Sequence, residues 1–228
     1  MRQFFALLKK DLLLEARSKS MVASMTIYAV LVLVVYGATI SQTSDSFNIQ
    51  QVAPGLLWAL IVFTSLIGLN KTFEHEHEEG AMVALLLSPM QKSLIFLSKF
   101  TANLLFLLLV ELIAVPEFFF FFLQTAQVSG QSFLLVLPLL LGSIGISGVG
   151  TLLATITQGA KSSNILLTIL LVPLIFPLLL LCVSTTSMAL LGSNLLDAGF
   201  YRLLGMAATY DLIMLAAAYG LYEFVVSP

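Results

Sequence analysis

A short run of residues from 74 to 79 concentrates side chains that bind metals, transfer protons and form ion pairs. Both histidines of the chain, His75 and His77, lie there among four acids, Glu74, Glu76, Glu78 and Glu79. Imidazole nitrogens and carboxylate oxygens in such density are ligands that zinc accepts. However, two histidines separated by two residues point about 200° apart on a helix. The His-Glu-x-x-His order of zinc peptidases is also absent, so the pattern argues against a metal site.

Two other interpretations of this acidic run remain. One is the solvated, charged start of a helix. The other is a docking surface, which the apolar segment Ala81–Leu87 favours because it is too short to cross a membrane and too apolar for water. A short helix along the membrane surface that enters a groove on a partner would fit, with Gly80 allowing a turn before it and Pro89 limiting its far end. The candidate docking residues are Glu74, Glu76, Glu78, Glu79, Gly80, Met82, Leu85 and Leu86.

Three of the acids within apolar runs are candidates for a function inside the membrane. Glu111 and Glu117 lie in the third run and Asp211 near the start of the last. Ionisable side chains at membrane depth are costly, so they face the protein interior or water. We place Glu111 deepest, as a proton or substrate contact or as a hydrogen-bonding group between helices. Glu117 and Asp211 are expected nearer the outer half, within reach of water.

Several kinds of chemistry lack their motifs. The string Gln158-Gly159-Ala160-Lys161-Ser162 lacks the upstream glycine of a phosphate-binding loop. If ATP drives this protein, another chain must bind it. The single cysteine, Cys182, forms no redox or heme-attachment motif, and no histidine lies in an apolar run. We therefore expect no catalytic residue, no metal, no heme ligand and no cofactor bound by this chain.

The composition is that of a membrane protein. Of the 228 residues, 59% are hydrophobic and only 10% are charged, against roughly 25% charged in soluble proteins. A span needs about 20 apolar residues. The sequence predicts an all-α protein with six spans and no nucleic-acid partner, the spans being Met21–Ile40, Val52–Leu69, Leu94–Leu123, Phe133–Thr157, Asn164–Val183 and Ala207–Val226.

Positive charges orient this six-span topology. Nine of the ten Lys and Arg residues fall on the side of the N-terminal tail, and Arg202 alone falls on the other. The positive-inside rule then places both termini and the acidic run in the cytoplasm. The tail itself, residues 1–20, predicts an amphipathic helix at the interface, although a plain basic anchor remains the alternative. Its apolar face would carry Phe4, Phe5, Leu8, Leu12 and Leu13.

Small residues crowd the fourth run. They are Gly142, Ser143, Gly145, Ser147, Gly148 and Gly150. Small side chains let helix backbones approach closely in membranes. They indicate either packing within one chain or the seam of a dimer.

Eight ordered motifs together resemble the heme exporter protein B family, the permease of the cytochrome c maturation ABC transporter. The resemblance runs from the tail to the end of the last span. The motifs are Lys10–Lys19, Ala53–Trp58, Gly68–Phe73, Glu76–Gly80 with Ala84–Pro89, Lys99–Leu104, Val110–Leu112, Gly148–Ala154 and Tyr210–Ile213. His75 and His77 depart from the mixed Glu-Arg-Glu segment usual in the family.

The resemblance implies a permease of the ABC-2 type in the bacterial inner membrane. Residues 1–20 would form its elbow helix and residues 21–228 the six-span domain, with a coupling segment, 71–92, that docks on a separate ATPase holding ATP and Mg²⁺. Two permeases and two ATPases would form the core, beside further maturation subunits and a periplasmic heme chaperone. Heme would be the substrate, or ATP-driven motion would release the heme-loaded chaperone; the absence of ligands favours release.

Two rivals have the same sequence features. One is a lipid or drug export permease of the same architecture, since one fold serves many substrates. The other is a membrane scaffold without transport.

Overall fold

The computed structural model describes residues 2–40, 49–78, 91–122, 132–158, 162–191 and 198–226, with their side chains except at 2, 40, 49–50, 73–78, 132–133, 191 and 226. These ranges contain seven α-helices, one 3₁₀ turn at Ser132–Leu135 and no strand, which confirms the all-α prediction. The helices are α1 (Arg2–Ser18), α2 (Ser20–Ile40), α3 (Ile49–Glu78), α4 (Lys92–Phe122), α5 (Val136–Thr157), α6 (Ser163–Leu191) and α7 (Ala198–Val226).

The six predicted spans are confirmed as α2 to α7. Each of these helices is long and apolar enough to cross a membrane. Three of them extend beyond the predicted runs by two turns or more: α3 continues past Leu69 to Glu78, α6 past Val183 to Leu191, and α7 begins at Ala198 rather than Ala207. An apolar run marks the hydrocarbon layer, whereas a helix can continue into the interface because its backbone hydrogen bonds are internal.

The acidic run begins inside α3. Residues 74–78 are the continuation of the second span, not the start of a new helix. The interpretation as a charged helix start is therefore wrong for these residues. Glu79, Gly80, Met82, Leu85 and Leu86 lie outside the described residues, and so does the predicted short helix at 81–87.

Two of the six spans form the interior of the bundle. About 72% of the apolar window of α5 and 67% of that of α3 are buried, against 22–33% for the other four. Helix α5 packs against α3, α4, α6 and α7, while α2 packs against α3 and α4. The exposed side chains of the outer spans are large and apolar, such as Leu112 at 77% and Leu212 at 71% exposure. This distribution suits a bundle surrounded by lipid.

Four glycines of α5 let side chains from neighbouring helices reach its backbone. A methyl group at any of them would overlap a neighbour from the same chain: Trp58 at Gly142, Asp211 and Leu178 at Gly145, Leu215 at Gly148, and Leu69 at Gly150. All four glycines are buried. Of the two readings left open by the sequence, the structure favours packing within one chain.

The tail forms the predicted helix and meets α2 at a sharp corner. Lys19 separates α1 from α2 and has φ of 53°, a left-handed conformation that normally favours glycine. Glu15 stabilises the corner because its Oε1 accepts a hydrogen bond from the Val22 amide at 2.8 Å. The apolar face divides: Leu8 and Leu12 pack against the core, whereas Phe5 and Leu13 are exposed.

Candidate functional site

A buried ion pair joins the tail helix to the third span. Lys99 Nζ lies 2.9 Å from Asp11 Oδ2, and the side chains are only 1% and 9% exposed. Lys10 lies 3.5 Å from the other oxygen, Oδ1, and is 38% exposed. Since Asp11 and Lys99 are far apart in the chain, no local pattern predicts the pair. In the sequence, Lys99 counts among the positive charges that orient the spans and begins one of the family motifs, but nothing there indicates its contact with Asp11.

One helical turn deeper, a chain of hydrogen bonds crosses three spans. The Thr72 hydroxyl of α3 lies 3.2 Å from Asn103 Oδ1 of α4. The Asn103 amide then donates to Thr151 Oγ1 of α5 at 3.0 Å. Asn103 and Thr151 are buried. Side-chain hydrogen bonds of this kind hold membrane helices together where water is absent.

Glu111 is a further polar side chain on the buried side of α4. It is 6% exposed, and its Oε1 accepts a hydrogen bond from the Ser143 hydroxyl of α5 at 2.6 Å. This contact is the interhelical hydrogen bond that the sequence offered as one alternative. Lys99, Asn103 and Glu111 thus lie along the buried side of α4 and contact polar side chains of α1, α3 and α5.

Asp211 lies against the glycine face of α5. It is 4% exposed, contacts the backbone position of Gly145, and neither carboxyl oxygen has a hydrogen-bond partner among the described residues. The expectation that Asp211 reaches water is wrong, because α7 begins at Ala198 and sets Asp211 near its middle. A buried carboxyl without a donor is costly, which makes Asp211 a functional candidate.

Glu117 is in a different environment. It lies one turn and a half beyond Glu111 on α4, next to Pro116, and is half-buried. Its Oε2 is buried without a hydrogen-bond partner among the described residues. The three intramembrane acids therefore do not converge on one site.

Trp58 connects the interior helices. Its ring packs against Gly142, and its Nε1 donates to Thr186 Oγ1 of α6 at 3.0 Å. The residue is 1% exposed. A buried tryptophan usually finds a partner for its N–H, but the sequence alone does not say which of the many threonines accepts.

The described part of the chain gives no support to the hypothesis of a metal site. No three His, Cys, Asp or Glu residues come together there as a metal site. The side chains of His75 and His77 lie outside the description, as do those of Glu74, Glu76 and Glu78. The docking surface stays a prediction.

The contact to Ser143 leads to a prediction for Glu111→Gln. Glutamine keeps an oxygen that can accept the Ser143 proton, so we expect normal protein levels and a change in stability of under about 1 kcal/mol. Thermal unfolding of the purified protein, with Ser143→Ala as the matched control, measures this. If Glu111→Gln abolished activity while the protein level stayed normal, the carboxyl itself would be functional.

These features define a class. The chain is a multi-pass helical membrane protein whose buried polar side chains join helices to one another, with a charged segment between its second and third spans. The CcmB protein family profile matches residues 2–222. The chain belongs to the CcmB family, which confirms the resemblance drawn from its motifs.

Two curated relatives align with nearly the whole chain, and a third aligns with three quarters of it. Heme exporter protein B of Pseudomonas aeruginosa is 28% identical over 214 residues, covering 94% of this chain and 88% of the relative. Heme exporter protein B of Haemophilus influenzae is 26% identical over 223 residues, covering 94% and 96%. The protein of the same name from Paracoccus denitrificans is 26% identical over 75% of this chain and 77% of its own.

Proposed function

We propose that this chain is the permease subunit of an ABC transporter for cytochrome c biogenesis, coupling ATP hydrolysis by a partner ATPase to heme export or to release of a heme-loaded periplasmic chaperone. The observation that carries the proposal is the CcmB match over residues 2–222, together with relatives named heme exporter protein B that align over 94% of the chain. In this role the chain catalyses no reaction and binds no cofactor; ATP and Mg²⁺ lie on the ATPase.

The partner subunits and the membrane location are part of the same proposal. Two copies of this chain pair with two ATPases in the bacterial inner membrane, beside the other maturation subunits and the heme chaperone. Nine of the ten Lys and Arg residues lie on the side of the N-terminal tail, which supports cytoplasmic termini and a cytoplasmic coupling segment.

The charge pattern at the end of α3 supports an ATPase contact there. Carboxylates are unfavourable near a helix C-terminus, where the helix dipole is negative, by about 0.3–1 kcal/mol each. The described part of α3 ends in an acidic run, and Gly80 is of the residue type that most often ends a helix. A basic surface on the ATPase would relieve this repulsion.

The position of α4 supports a route for the motion. Helix α4 begins at Lys92, directly after the coupling residues, and its buried side carries Lys99, Asn103 and Glu111. These side chains are bonded to α1, α5 and, through Thr72, α3. A displacement of the cytoplasmic end of α4 would therefore be carried into the tail helix and into the interior of the bundle.

Release of the chaperone fits these features better than passage of heme through this chain. The two histidines lie at the end of α3, beyond its apolar window Gln51–Thr72. Inside the bundle, Trp58, Asn103 and Glu111 form hydrogen bonds to side chains of other helices. They suit transmission of a motion rather than ligation of a heme iron.

Reversing the charge of the coupling segment tests the ATPase contact. We expect Glu78→Lys with Glu79→Lys to abolish capture of the ATPase on the affinity-tagged permease, because two attractive charges become repulsive. Asp45→Lys with Asp197→Lys makes the same charge change in segments predicted on the outer side and should leave capture intact. Equal capture by both double variants would refute the docking role.

Identification of the partners tests the function as a whole. Affinity purification should recover an ATPase subunit, and deletion of this chain should abolish holo-cytochrome c while apo-cytochrome c is still made. Normal holo-cytochrome c with a defect in lipid or drug export would identify the rival transporter. Purification without an ATPase would favour the scaffold.

A further inference from the structure

An open apolar cleft lies between the tail helix and the first and third spans. Its volume is about 520 Å³, within the range of about 300–1,000 Å³ that is typical of small-molecule sites. The cleft exists because α1 packs mainly against α4 and touches α2 little beyond the corner. Its walls are Leu12, Glu15, Ala16, Lys19, Val22, Ala23, Thr26, Ile27, Phe106 and Leu109.

The long axis of the cleft matches one leaflet of a bilayer. Along α2 it extends from Lys19 at the corner to Ile27, a rise of about 12 Å at 1.5 Å per residue. Half of a hydrocarbon core measures about 15 Å. Ile27 and Leu109 are 60% and 47% exposed, so the cleft opens sideways within the membrane-spanning part of α2 and α4.

The rim of the cleft presents a cation at the level of the headgroups. Lys19 is exposed and lies where α1 meets α2. Among the described residues it is the one non-glycine with a left-handed φ, a conformation that disfavours side chains. A lysine at a position that suits glycine points to a use for its ammonium group.

Glu15 is the one acid that lines the cleft, and both of its carboxyl oxygens already accept hydrogen bonds from the protein. Glu15 Oε1 accepts from the Val22 amide at 2.8 Å, and Oε2 accepts from the Ser18 hydroxyl at 3.3 Å. Lys71 adds a second cation near the corner, since its Nζ reaches the Ser20 carbonyl at 3.4 Å. Apolar walls below a basic rim complement a molecule with an apolar chain and an anionic head.

We propose that this cleft binds one phospholipid of the leaflet on the N-terminal side, its acyl chain lying between α1, α2 and α4 and its anionic phosphate contacting Lys19. The lipid fills the space beneath the tail helix that the chain leaves open. It thereby supports α1 on the face next to the one that carries Asp11. This site does not depend on the proposed transport function, and its test involves neither ATPase nor heme.

Lipid retention by the full chain tests the proposal. Native mass spectrometry of the detergent-purified protein, titrated with dioleoyl phosphatidylglycerol, measures the bound fraction. We expect Lys19→Gln to weaken retention about fivefold, the effect of one lysine near an anionic surface. Lys9→Gln removes an exposed cation of the same helix that does not line the cleft, and should leave retention unchanged.

Two further variants separate the acyl chain from the headgroup. Lys19→Gly removes the cation while suiting the left-handed backbone, so retention should fall with thermal stability maintained. Ala23→Phe fills the cleft and should lower retention of phosphatidylglycerol and phosphatidylcholine alike. Matching losses in Lys19→Gln and Lys9→Gln would overturn the proposal, as would unchanged retention in Ala23→Phe. Dimer loss in Ala23→Phe without lipid loss would assign the cleft to a second copy instead.

Discussion

Replacing Lys99 with methionine should destabilise the protein by about 3–5 kcal/mol, the largest loss that we expect from a single charge. The substitution leaves the carboxylate of Asp11 in a site that is only 9% exposed. Removing one partner of a buried pair is costly because the remaining charge keeps its desolvation penalty without its counter-charge. Lys10, at 3.5 Å from Asp11, offsets a part of the loss, which places the expectation at the lower end.

Equilibrium unfolding in mixed micelles measures this loss. Lys10→Met is the matched control, since Lys10 is more exposed and such pairs contribute about 0–1 kcal/mol. The exchange of charges, Asp11→Lys with Lys99→Asp, should recover a part of the stability that either single variant loses. Additive losses in the double variant would show that the two side chains do not act as a pair.

The same variants test whether a movement of the ATPase is passed on to the tail helix. Helix α4 follows the coupling segment, and the ion pair connects α4 to α1. If the proposed function holds, the charge-exchanged protein should bind the ATPase normally, because the docking residues are untouched. A variant that binds the ATPase but yields no holo-cytochrome c would locate the defect in the link between the two helices.

Replacing Gly142 with alanine should destabilise the protein by about 2–3 kcal/mol, although it adds a single methyl group. That methyl would overlap the ring of Trp58 and lie 3.2 Å from Cys182 Sγ. Trp58 cannot easily move aside, because it is 1% exposed and its Nε1 is hydrogen-bonded to Thr186. Overpacking of a tight core typically costs about 1–3 kcal/mol, with rigid neighbours at the upper end.

Gly205→Ala is the matched control for this prediction. No atom would lie within 4 Å of a methyl group at Gly205, so the same substitution should be neutral or slightly stabilising in helix α7. Trp58→Phe should rescue Gly142→Ala in part, since the smaller ring vacates the overlapped space. If Gly142→Ala kept full stability but dissociated dimers, the glycine face would belong to a dimer seam, against the packing within one chain described above.

The intramembrane acids show how far sequence reasoning reaches. Glu111 was predicted to be deep and to be either functional or hydrogen-bonded, and it accepts a hydrogen bond from Ser143. Asp211 lies farther from the end of its helix than the apolar run Ala207–Val226 predicts, because α7 begins at Ala198. The turns between Ala198 and Ala207 contain Tyr201 and Arg202, and such interfacial residues lower the hydropathy of a window without ending a helix.

The sequence by itself determined the class of this protein: six spans, an amphipathic tail helix, the predicted orientation and the family. These follow from the number of apolar residues, from the placement of ten positive charges and from ordered motifs, all of which are local or additive along the chain. The pairing of buried polar side chains between helices is neither local nor additive along the chain. Only the tertiary structure paired Lys99 with Asp11, Asn103 with Thr151 and Trp58 with Thr186, because each pair depends on how far two helices turn about their axes when they pack.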